Sequence, residues 1–466
     1  MRDKLMRYEL TGKRREFLLM TQLLHNIRQQ AAALGEEYLK AIDLDEIRVE
    51  PGALGRMAAY LERKNCRSVI VAADRDTYEA AGKLLLASME RAEGLSGTAV
   101  HTTMIRPDAE GDVIADEASL IQLILDIQRY GADAVIAVGG GTLHDICRFS
   151  AYTTGIPFIS VPTAPSVDGF NSKGAPILLR GEKTTIPAIG PMAIFADLDI
   201  LVQAPAELAA AGFGDMLGKY TSLFDWSFGA LAAGEPYLPA AAEITRSALQ
   251  KCVAAAGLIA SRSEEGIHAL MSALIESGLA MLLFGQSHPA SGAEHHLSHY
   301  WEMEYLRLGR RQLLHGAKVG VASMEIAKLY RRIAAEGLPL NEWAAHRQAE
   351  GQSRNQSQAG SGKTPVSSGN VGSARGRANG RSTADFIRAE NVKPAPAADW
   401  ERIRREIGQI PDPQELGGLL ALVGGPVSVK QLGVSPELLE RSLREAHLVR
   451  PGRHTLLRAY NEMRAK

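Results

Sequence analysis

Short apolar segments alternate with helical segments through the first half of this chain, and the alternation stops near residue 198. Five segments rich in apolar and β-branched residues indicate buried strands, at 66–73, 98–103, 134–138, 157–161 and 192–196. Helical patterns lie between them. Because strands that alternate with helices form right-handed crossover units, the first half is predicted to fold as a parallel sheet.

Helical periodicity takes over after residue 198. The helical segments are 205–212, 214–228, 238–261, 267–285, 292–307 and 316–336. The predicted fold class is α/β, with an N-terminal Rossmann-like parallel-sheet domain followed by an all-helical C-terminal domain. We predict three regions: a helical N-terminal extension at 1–45, a nucleotide-binding α/β domain at 46–198 and a helical domain at 199–466.

Residues 349–396 depart from this pattern. The stretch is rich in Gly, Ser, Asn, Gln and Arg, and between residues 350 and 385 only Val366 and Val371 are large and apolar. Such a composition cannot bury enough apolar surface to offset the entropy of ordering the chain. The sequence therefore predicts a disordered insertion here.

The composition excludes several classes of function. A net charge of −1 over 466 residues gives no electrostatic reason to expect nucleic acid or an anionic membrane as partner. Three scattered cysteines, Cys66, Cys147 and Cys252, suit neither a disulfide framework nor a zinc–thiolate site, which favours a cytoplasmic protein. The most apolar helix, 270–284, contains Glu276 among other polar residues, so we predict a buried helix and no membrane insertion.

A glycine-rich turn follows the third predicted strand. Residues 134–138 run into Gly139-Gly140-Gly141-Thr142-Leu143-His144-Asp145, and a helical segment continues from there. Glycines at this point let the backbone approach a pyrophosphate, and the helix N-terminus offers free N–H groups. The next strand also ends in a polar turn, 162–169, which places both turns at one edge of the sheet. A purely structural turn is the alternative, because the segment is not Gly-x-Gly-x-x-Gly.

Two histidines lie one helical turn apart in the segment 292–307. His295 and His299 share one face of the predicted helix, whereas His296 is turned away by roughly 100°. Together with Asp215 and His315 they offer the carboxylate and imidazoles that a divalent metal needs, on helices rather than loops. Histidines that bind nothing, on the surface or in the core, are the alternative.

Five motifs occur in a fixed order between residues 49 and 330. They are Gly141-Thr-Leu-His-Asp145, Pro162-Thr-Ala-Pro-Ser-Val-Asp-Gly169, Gly214-Asp215, Ser291-Gly-Ala-Glu-His295 with Ser298-His299-Tyr-Trp-Glu302, and Leu314-His315-Gly-Ala-Lys-Val-Gly320. Together they resemble the bacterial glycerol-1-phosphate dehydrogenases, in the superfamily of iron-containing alcohol dehydrogenases, glycerol dehydrogenases and dehydroquinate synthases. The resemblance implies a dehydroquinate synthase-like fold and a metal-dependent, NAD(P)-linked interconversion of dihydroxyacetone phosphate and sn-glycerol 1-phosphate, by hydride transfer at C2.

The resemblance also implies roles for individual residues. The metal ligands would be Asp215, His295 and His315. Substrate contacts would come from Asp168, Asp215 and His299, and of these Asp215 and His299 would be catalytic. The cofactor would contact Asp74, Gly139, Gly140, Gly141, Thr142, Leu143, His144, Asp145, Thr163, Ala164, Pro165, Ser166 and Ser172.

The implied cofactors are NAD, with NADP also accepted, and one divalent ion, zinc or nickel. Asp74 favours NAD, because a carboxylate after an early strand can accept hydrogen bonds from ribose hydroxyls and repel a 2′-phosphate. The sequence does not rank the cations that could hold the substrate phosphate, namely Lys173, Lys219, Arg307, Arg310 and Lys318.

The partners implied are a small-molecule substrate and other copies of the chain, with a homodimer favoured. Three alternatives for the function stay open at this point. They are a glycerol or other polyol dehydrogenase, a 3-dehydroquinate synthase and a non-enzymatic nucleotide-binding protein.

Overall fold

The computed structural model describes residues 23–92, 95, 97–339, 343 and 400–464. The predicted insertion at 349–396 and residues 1–22 of the N-terminal extension lie outside the described residues. Within the extension, residues 23–34 form helix α1 and Glu36–Ala41 form α2. Apolar side chains of α1 are buried in the same cluster as the helical domain, so this part of the extension packs on the main core.

Six parallel strands form one sheet, in the order β1-β8-β5-β4-β2-β3. The strands are β1 (Glu46–Glu50), β2 (Ser68–Ala73), β3 (Ala99–Met104), β4 (Ala134–Gly139), β5 (Phe158–Pro162) and β8 (Ala193–Asp197). The three strands β4, β5 and β8 are buried along their whole length, as expected of a parallel sheet with both faces covered. The predicted parallel sheet is confirmed.

Two elements of this region were not predicted from the sequence. Edge strand β1 alternates buried and half-buried residues, so it has no apolar run to reveal it. The antiparallel hairpin of β6 (Gly174–Leu179) and β7 (Glu182–Pro187) is likewise largely half-buried or exposed. The helices of the α/β region are α3 (Met57–Arg63), α4 (Arg75–Thr77), α5 (Lys83–Glu90), α6 (Glu117–Tyr130) and α7 (Gly141–Thr154).

The rest of the described chain is helical, as predicted. Its helices are α8 (Leu198–Leu201), α9 (Ala206–Leu217), α10 (Lys219–Ala233), α11 (Pro239–Ala254), α12 (Ala256–Ala260), α13 (Glu264–Phe284), α14 (Ala293–Arg307), α15 (His315–Glu336), α16 (Trp400–Ile407), α17 (Pro413–Leu422), α18 (Pro436–Glu445) and α19 (Leu456–Arg464). Helix α13 is long and apolar enough to cross a membrane by length and composition, with a mean hydropathy of 1.7. Since 83% of that stretch is buried inside the protein, it is the core helix of this domain.

The predicted helix boundary at residues 212–214 is wrong. Gly212 and Gly214 both lie inside α9, where a glycine usually weakens a helix. A Cβ on Gly212 would lie 1.9 Å from the carbonyl oxygen of Pro165, and one on Gly214 would lie 2.5 Å from that of Gly316. These glycines therefore permit close packing of neighbouring backbones, and the helix runs on to Leu217.

Candidate metal and nucleotide site

Helices α9, α14 and α15 bring three potential metal ligands together. One side-chain donor atom from each of Asp215, His295 and His315 lies within 4.8 Å of the others. The Nε2 atom of His295 is 3.6 Å from Oδ1 of Asp215. Asp215 and His295 are buried, and His315 is half-buried. One carboxylate and two imidazoles in this arrangement could hold a metal ion, and three protein ligands would leave a position open for substrate.

Close packing of α9 against α15 sets the separation of Asp215 and His315. A Cβ on Gly316 would lie only 1.8 Å from the carbonyl oxygen of Ala211, so no larger residue fits there without moving a helix. A Cβ on Gly320, one turn later, would likewise lie only 3.1 Å from the Cα of Gly214. Gly316 and Gly320 thus let α15 approach α9 closely, which brings His315 near Asp215.

Glu294 fixes the orientation of the His295 ring. Its Oε1 lies 2.8 Å from Nδ1 of His295 and accepts a hydrogen bond from the backbone N–H of Gly292, while Oε2 accepts one from the Thr221 hydroxyl. Burial raises the pKa of this carboxyl, but His295, Thr221 and Gly292 outweigh burial and leave the pKa below its usual value. An ionised Glu294 holds a proton on Nδ1 and leaves Nε2 free to bind a metal.

A buried lysine links the two aspartates of the site. The Nζ of Lys219 lies 2.8 Å from Oδ2 of Asp168 and 3.0 Å from Oδ1 of Asp215. The backbone N–H of Asp168 also donates to Oδ2 of Asp215, and the Ser277 hydroxyl donates to Asp168. Burial raises the pKa of Asp215, yet chiefly the nearby charge of Lys219 keeps it below the usual range. Lys219 is fully buried and committed to these carboxylates, so it is not free to hold a phosphate.

His299 stands beside the ligand cluster. Its ring centroid is 5.7 Å from that of His315 and 6.2 Å from that of His295, and its exposure is only 7%. Nδ1 of His299 lies 3.0 Å from Oε2 of Glu302, an atom that also contacts Lys183 at 2.6 Å and Lys318 at 3.6 Å. Burial, followed by the Lys183 charge, holds the pKa of His299 well below its usual value.

His296 does not belong to the ligand cluster among the described residues. It is fully buried, and neither ring nitrogen has a hydrogen-bond partner within the described chain. Of the other predicted phosphate contacts, Lys173 is half-buried, whereas Arg307 and Arg310 are on the surface. Arg307 is exposed and pairs with Glu304, and Arg310 is exposed against the Tyr305 ring.

The glycine-rich turn lines a cleft at the carboxyl edge of the sheet. Strand β4 ends at Gly139, and α7 begins at Gly141 with no side-chain cap on its first N–H groups. A shallow cleft opens here. Its lining residues are Gly139, Gly140, Gly141, Pro162, Ala164, Ser166, Val167 and Phe170. Both turns that the sequence placed at this edge therefore share one cleft, and it has the glycines and free helix N-terminus that suit a pyrophosphate.

Several side chains of the turn support it from behind. His144 is fully buried, its Nδ1 2.8 Å from the Gly140 carbonyl and its Nε2 2.7 Å from the Ser160 hydroxyl. Burial lowers the pKa of His144 to about 3, so the ring is neutral. Asp145 forms a 2.7 Å ion pair with Arg148, and burial raises the pKa of Asp145 to about 7. In this geometry His144 stabilises the turn and offers a nucleotide only its backbone.

The remaining predicted cofactor residues are not among those that line the cleft. Leu143 is buried under Gly139, whereas Thr142 is exposed. The Ser172 hydroxyl donates to the Gly169 carbonyl. Asp74 caps α4 by accepting from the backbone N–H of Thr77 at 2.8 Å.

Pro165 and Thr163 belong to the turn after β5. The backbone N–H of Thr163 donates to the Gly139 carbonyl, which ties the two turns together, and the Pro165 carbonyl packs on Gly212. The sequence did not indicate the supporting residues Glu294, Glu302, Lys183 or the ion-pairing role of Lys219. Only the spacing of Glu294 and Glu302 from the predicted ligands offered a signal.

Known proteins resemble this chain along most of its length. The family model for iron-containing alcohol dehydrogenases matches residues 48–205. A glycerol-1-phosphate dehydrogenase [NAD(P)+] from Geobacillus stearothermophilus is 44% identical over 423 residues, which is 91% of this chain and 93% of the relative. A second, from Geobacillus thermodenitrificans strain NG80-2, is 42% identical over 450 residues, 95% of this chain and 98% of the relative.

The chain belongs to the glycerol-1-phosphate dehydrogenase family. It is an NAD(P)-dependent oxidoreductase, which confirms the resemblance seen in the motifs. Among solved structures, maleylacetate reductase from Rhizobium sp. strain MTP-10005 has a TM-score of 0.56 at 16% identity, covering 86% of this chain and 89% of that one. At that identity the likeness supports the fold alone, and it confirms the predicted fold class.

Proposed function

We propose that this glycerol-1-phosphate dehydrogenase interconverts dihydroxyacetone phosphate and sn-glycerol 1-phosphate, with a divalent cation held by Asp215, His295 and His315. The observation that carries the proposal is the convergence of these three ligands beside the glycine-lined cleft. The donor set of one carboxylate and two imidazoles suits zinc or nickel. A bound cation would supply Lewis-acid polarisation of the C2 oxygen, and the nicotinamide would supply or accept the hydride.

His299 is assigned to the proton on the C2 oxygen. Its Nδ1 faces the Glu302 carboxylate, so the neutral ring carries its proton on Nδ1 and presents Nε2 as an acceptor. Nε2 can accept the hydroxyl proton during oxidation and return it during reduction. Glu302, held by Lys183, stabilises the ring while it is charged.

Asp168 and Lys219 organise the substrate side of the site. Lys219 neutralises part of the negative charge of two adjacent carboxylates, which lets both stay buried. Asp168, at 5% exposure, is placed to contact the substrate beside Asp215. Its side chain reaches Lys219 and Ser277, so it does not act as a simple turn-stabilising residue.

The nucleotide is assigned to the cleft at the glycine-rich turn. Its pyrophosphate would lie on the backbone N–H groups at Gly140 to Thr142, with Ser166 and Ser172 nearby on the second turn. Asp74 follows β2, the strand next to β4, where it would meet the adenosine ribose. We therefore propose NAD as the preferred cofactor and NADP as a second one. A cytoplasmic location and a homodimer stay predictions.

An NADH-oxidation assay with dihydroxyacetone phosphate tests the proposal. We expect a rate that requires the phosphorylated substrate and disappears in the Asp215→Ala variant, because the metal ligand is lost. Equal or better turnover of glycerol and dihydroxyacetone would instead make this a polyol dehydrogenase.

A further inference from the structure

Two arginines close to the C-terminus lie beside the start of α14. Arg453 has 6% exposure, and Arg450 is half-buried. The Nη1 of Arg450 donates to the hydroxyls of Ser287 and Ser291, at 3.0 and 3.3 Å. The Nη1 of Arg453 donates to the Ser291 carbonyl at 3.0 Å. These contacts join two guanidinium groups and two hydroxyls in one cluster.

Several buried polar atoms of this cluster have no hydrogen-bond partner within the described chain. They are the donors Nε and Nη2 of Arg453, both ring nitrogens of His296, Nδ1 of His288 and the acceptor Oε2 of Glu235. Oε2 of Glu235 lies 3.8 Å from Nε of Arg453, and the other oxygen of Glu235 is taken by His454. Native proteins rarely leave buried polar groups open, and a buried guanidinium without a hydrogen-bonded anion is strongly unfavourable. The two open donors of Arg453 point to an anionic ligand.

The chemistry of the cluster selects a phosphate group. Planar guanidinium groups match the oxygens of a phosphate monoester in a bidentate way, and serine hydroxyls add further donors. A phosphate group would also offset the positive charge of the two arginines. An uncharged or cationic ligand would leave that charge uncompensated.

The cluster adjoins the metal site. Ser291 and His296 flank the ligand His295 in sequence at the start of α14. Arg450 donates to the Ser291 hydroxyl at 3.3 Å, and the next residue, Gly292, donates its N–H to the Glu294 carboxylate that lies 2.8 Å from Nδ1 of His295. In the substrate only one carbon and one ester oxygen separate C2 from phosphorus. The phosphate must therefore bind close to the metal.

The other cations near the metal are less suited to this task. Lys183 and Lys318 both pair with the Glu302 carboxylate, at 2.6 and 3.6 Å, so these ammonium groups already have an anionic partner, unlike the open donors of Arg453. Lys219 is enclosed between two aspartates.

We propose that Arg450 and Arg453, with the hydroxyls of Ser287 and Ser291, form the subsite that binds the phosphate group of the substrate. This inference rests on the proposed function, since it gives the enzyme its preference for phosphorylated over free trioses. It assigns substrate selection to a segment far along the chain from all of the metal ligands.

The test uses Arg450→Lys, which keeps the charge but removes the guanidinium fork. Its matched control is Arg444→Lys, at an exposed arginine paired with Glu440. We expect the ratio of kcat/KM for dihydroxyacetone phosphate over dihydroxyacetone to fall about tenfold or more in R450K and to stay unchanged in R444K. Inorganic phosphate should compete with the phosphorylated substrate, and its Ki should rise in R450K. A ratio and a Ki within about twofold of wild type would overturn the proposal, as would a selective loss in Lys183→Gln instead.

Thermal melting separates failure of this inference from failure of the proposed function. Inorganic phosphate should raise the Tm of the wild-type protein, and R450K should lose that shift. If the wild type did not reduce dihydroxyacetone phosphate, the proposed function would fail, while the melting result would still decide the subsite. If R450K did not fold, Ser287→Ala, which removes one hydroxyl only, would carry both measurements.

Discussion

Replacing Glu294 by Gln should weaken metal binding without removing a metal ligand. Glu294 is fully buried and accepts three hydrogen bonds, from His295 Nδ1 at 2.8 Å and from Gly292 and Thr221 at 2.6 Å each. Glutamine has the same shape and keeps one oxygen acceptor for the imidazole. The substitution therefore removes the negative charge that makes the His295 ring more basic at Nε2.

The expected magnitude follows from that lost charge. Hydrogen bonds to charged groups contribute about 1.5–3 kcal/mol, against about 0.5–1.5 kcal/mol for neutral ones. Removing such a partner from a metal-binding histidine typically lowers metal affinity about 10- to 100-fold. In free energy this is about 1.4–2.8 kcal/mol.

A competition titration against a coloured chelator measures the affinity, with Tm of the metal-free protein recorded alongside. Glu304→Gln is the control, because Glu304 lies on the same helix but pairs only with surface arginines. We expect its metal affinity to change by less than about twofold. Wild-type affinity in a folded E294Q protein would refute the idea that Glu294 orients the ligand.

Three further substitutions test the packing of α9 on α15, the role of His299 and the cofactor preference. Gly316→Ala should lower the free energy of unfolding by about 1–3 kcal/mol and release bound metal, because the new Cβ would lie 1.8 Å from the Ala211 carbonyl oxygen. The control is Gly418→Ala, where the new Cβ has no neighbour within 4 Å and should stabilise the protein by about 0.5–1 kcal/mol. Equal melting temperatures of the two variants would contradict this prediction. His299→Ala should keep its metal and lose about 10²- to 10⁴-fold in kcat, and loss of metal would make it a ligand instead. Asp74→Ser, which keeps the helix cap, should narrow the preference for NADH over NADPH about tenfold, and an unchanged ratio would remove Asp74 from the ribose contact.

The sequence predicted the sheet from a local signal, whereas the ligand set of Asp215, His295 and His315 was implied by the family resemblance. Buried parallel strands such as β4 and β5 are continuous apolar runs, and His295 and His299 have helical spacing. Strand β1 and the β6–β7 hairpin lack such apolar runs, so they could not be predicted from the sequence. The glycines of α9 were misread as a helix boundary, because their reason is contact with a distant backbone.

The supporting residues of the site could not be predicted for a related reason. Lys219 resembled a free cation until the fold placed it between Asp168 and Asp215. Arg450 reaches Ser287 across 163 positions of the chain, and nothing in local spacing encodes that contact. Local patterns predict which side chains can do chemistry, whereas tertiary packing decides which of them are already paired.

In the proposed mechanism, a metal held by Asp215, His295 and His315 is required for reduction of dihydroxyacetone phosphate. The most direct measurement is NADH oxidation with that substrate, before chelation, after chelation and after zinc or nickel is restored. We expect the rate of NADH oxidation to vanish when the metal is removed and to return when it is restored, while the Asp215→Ala variant stays inactive at every stage. An undiminished rate in protein shown to be free of metal would contradict it.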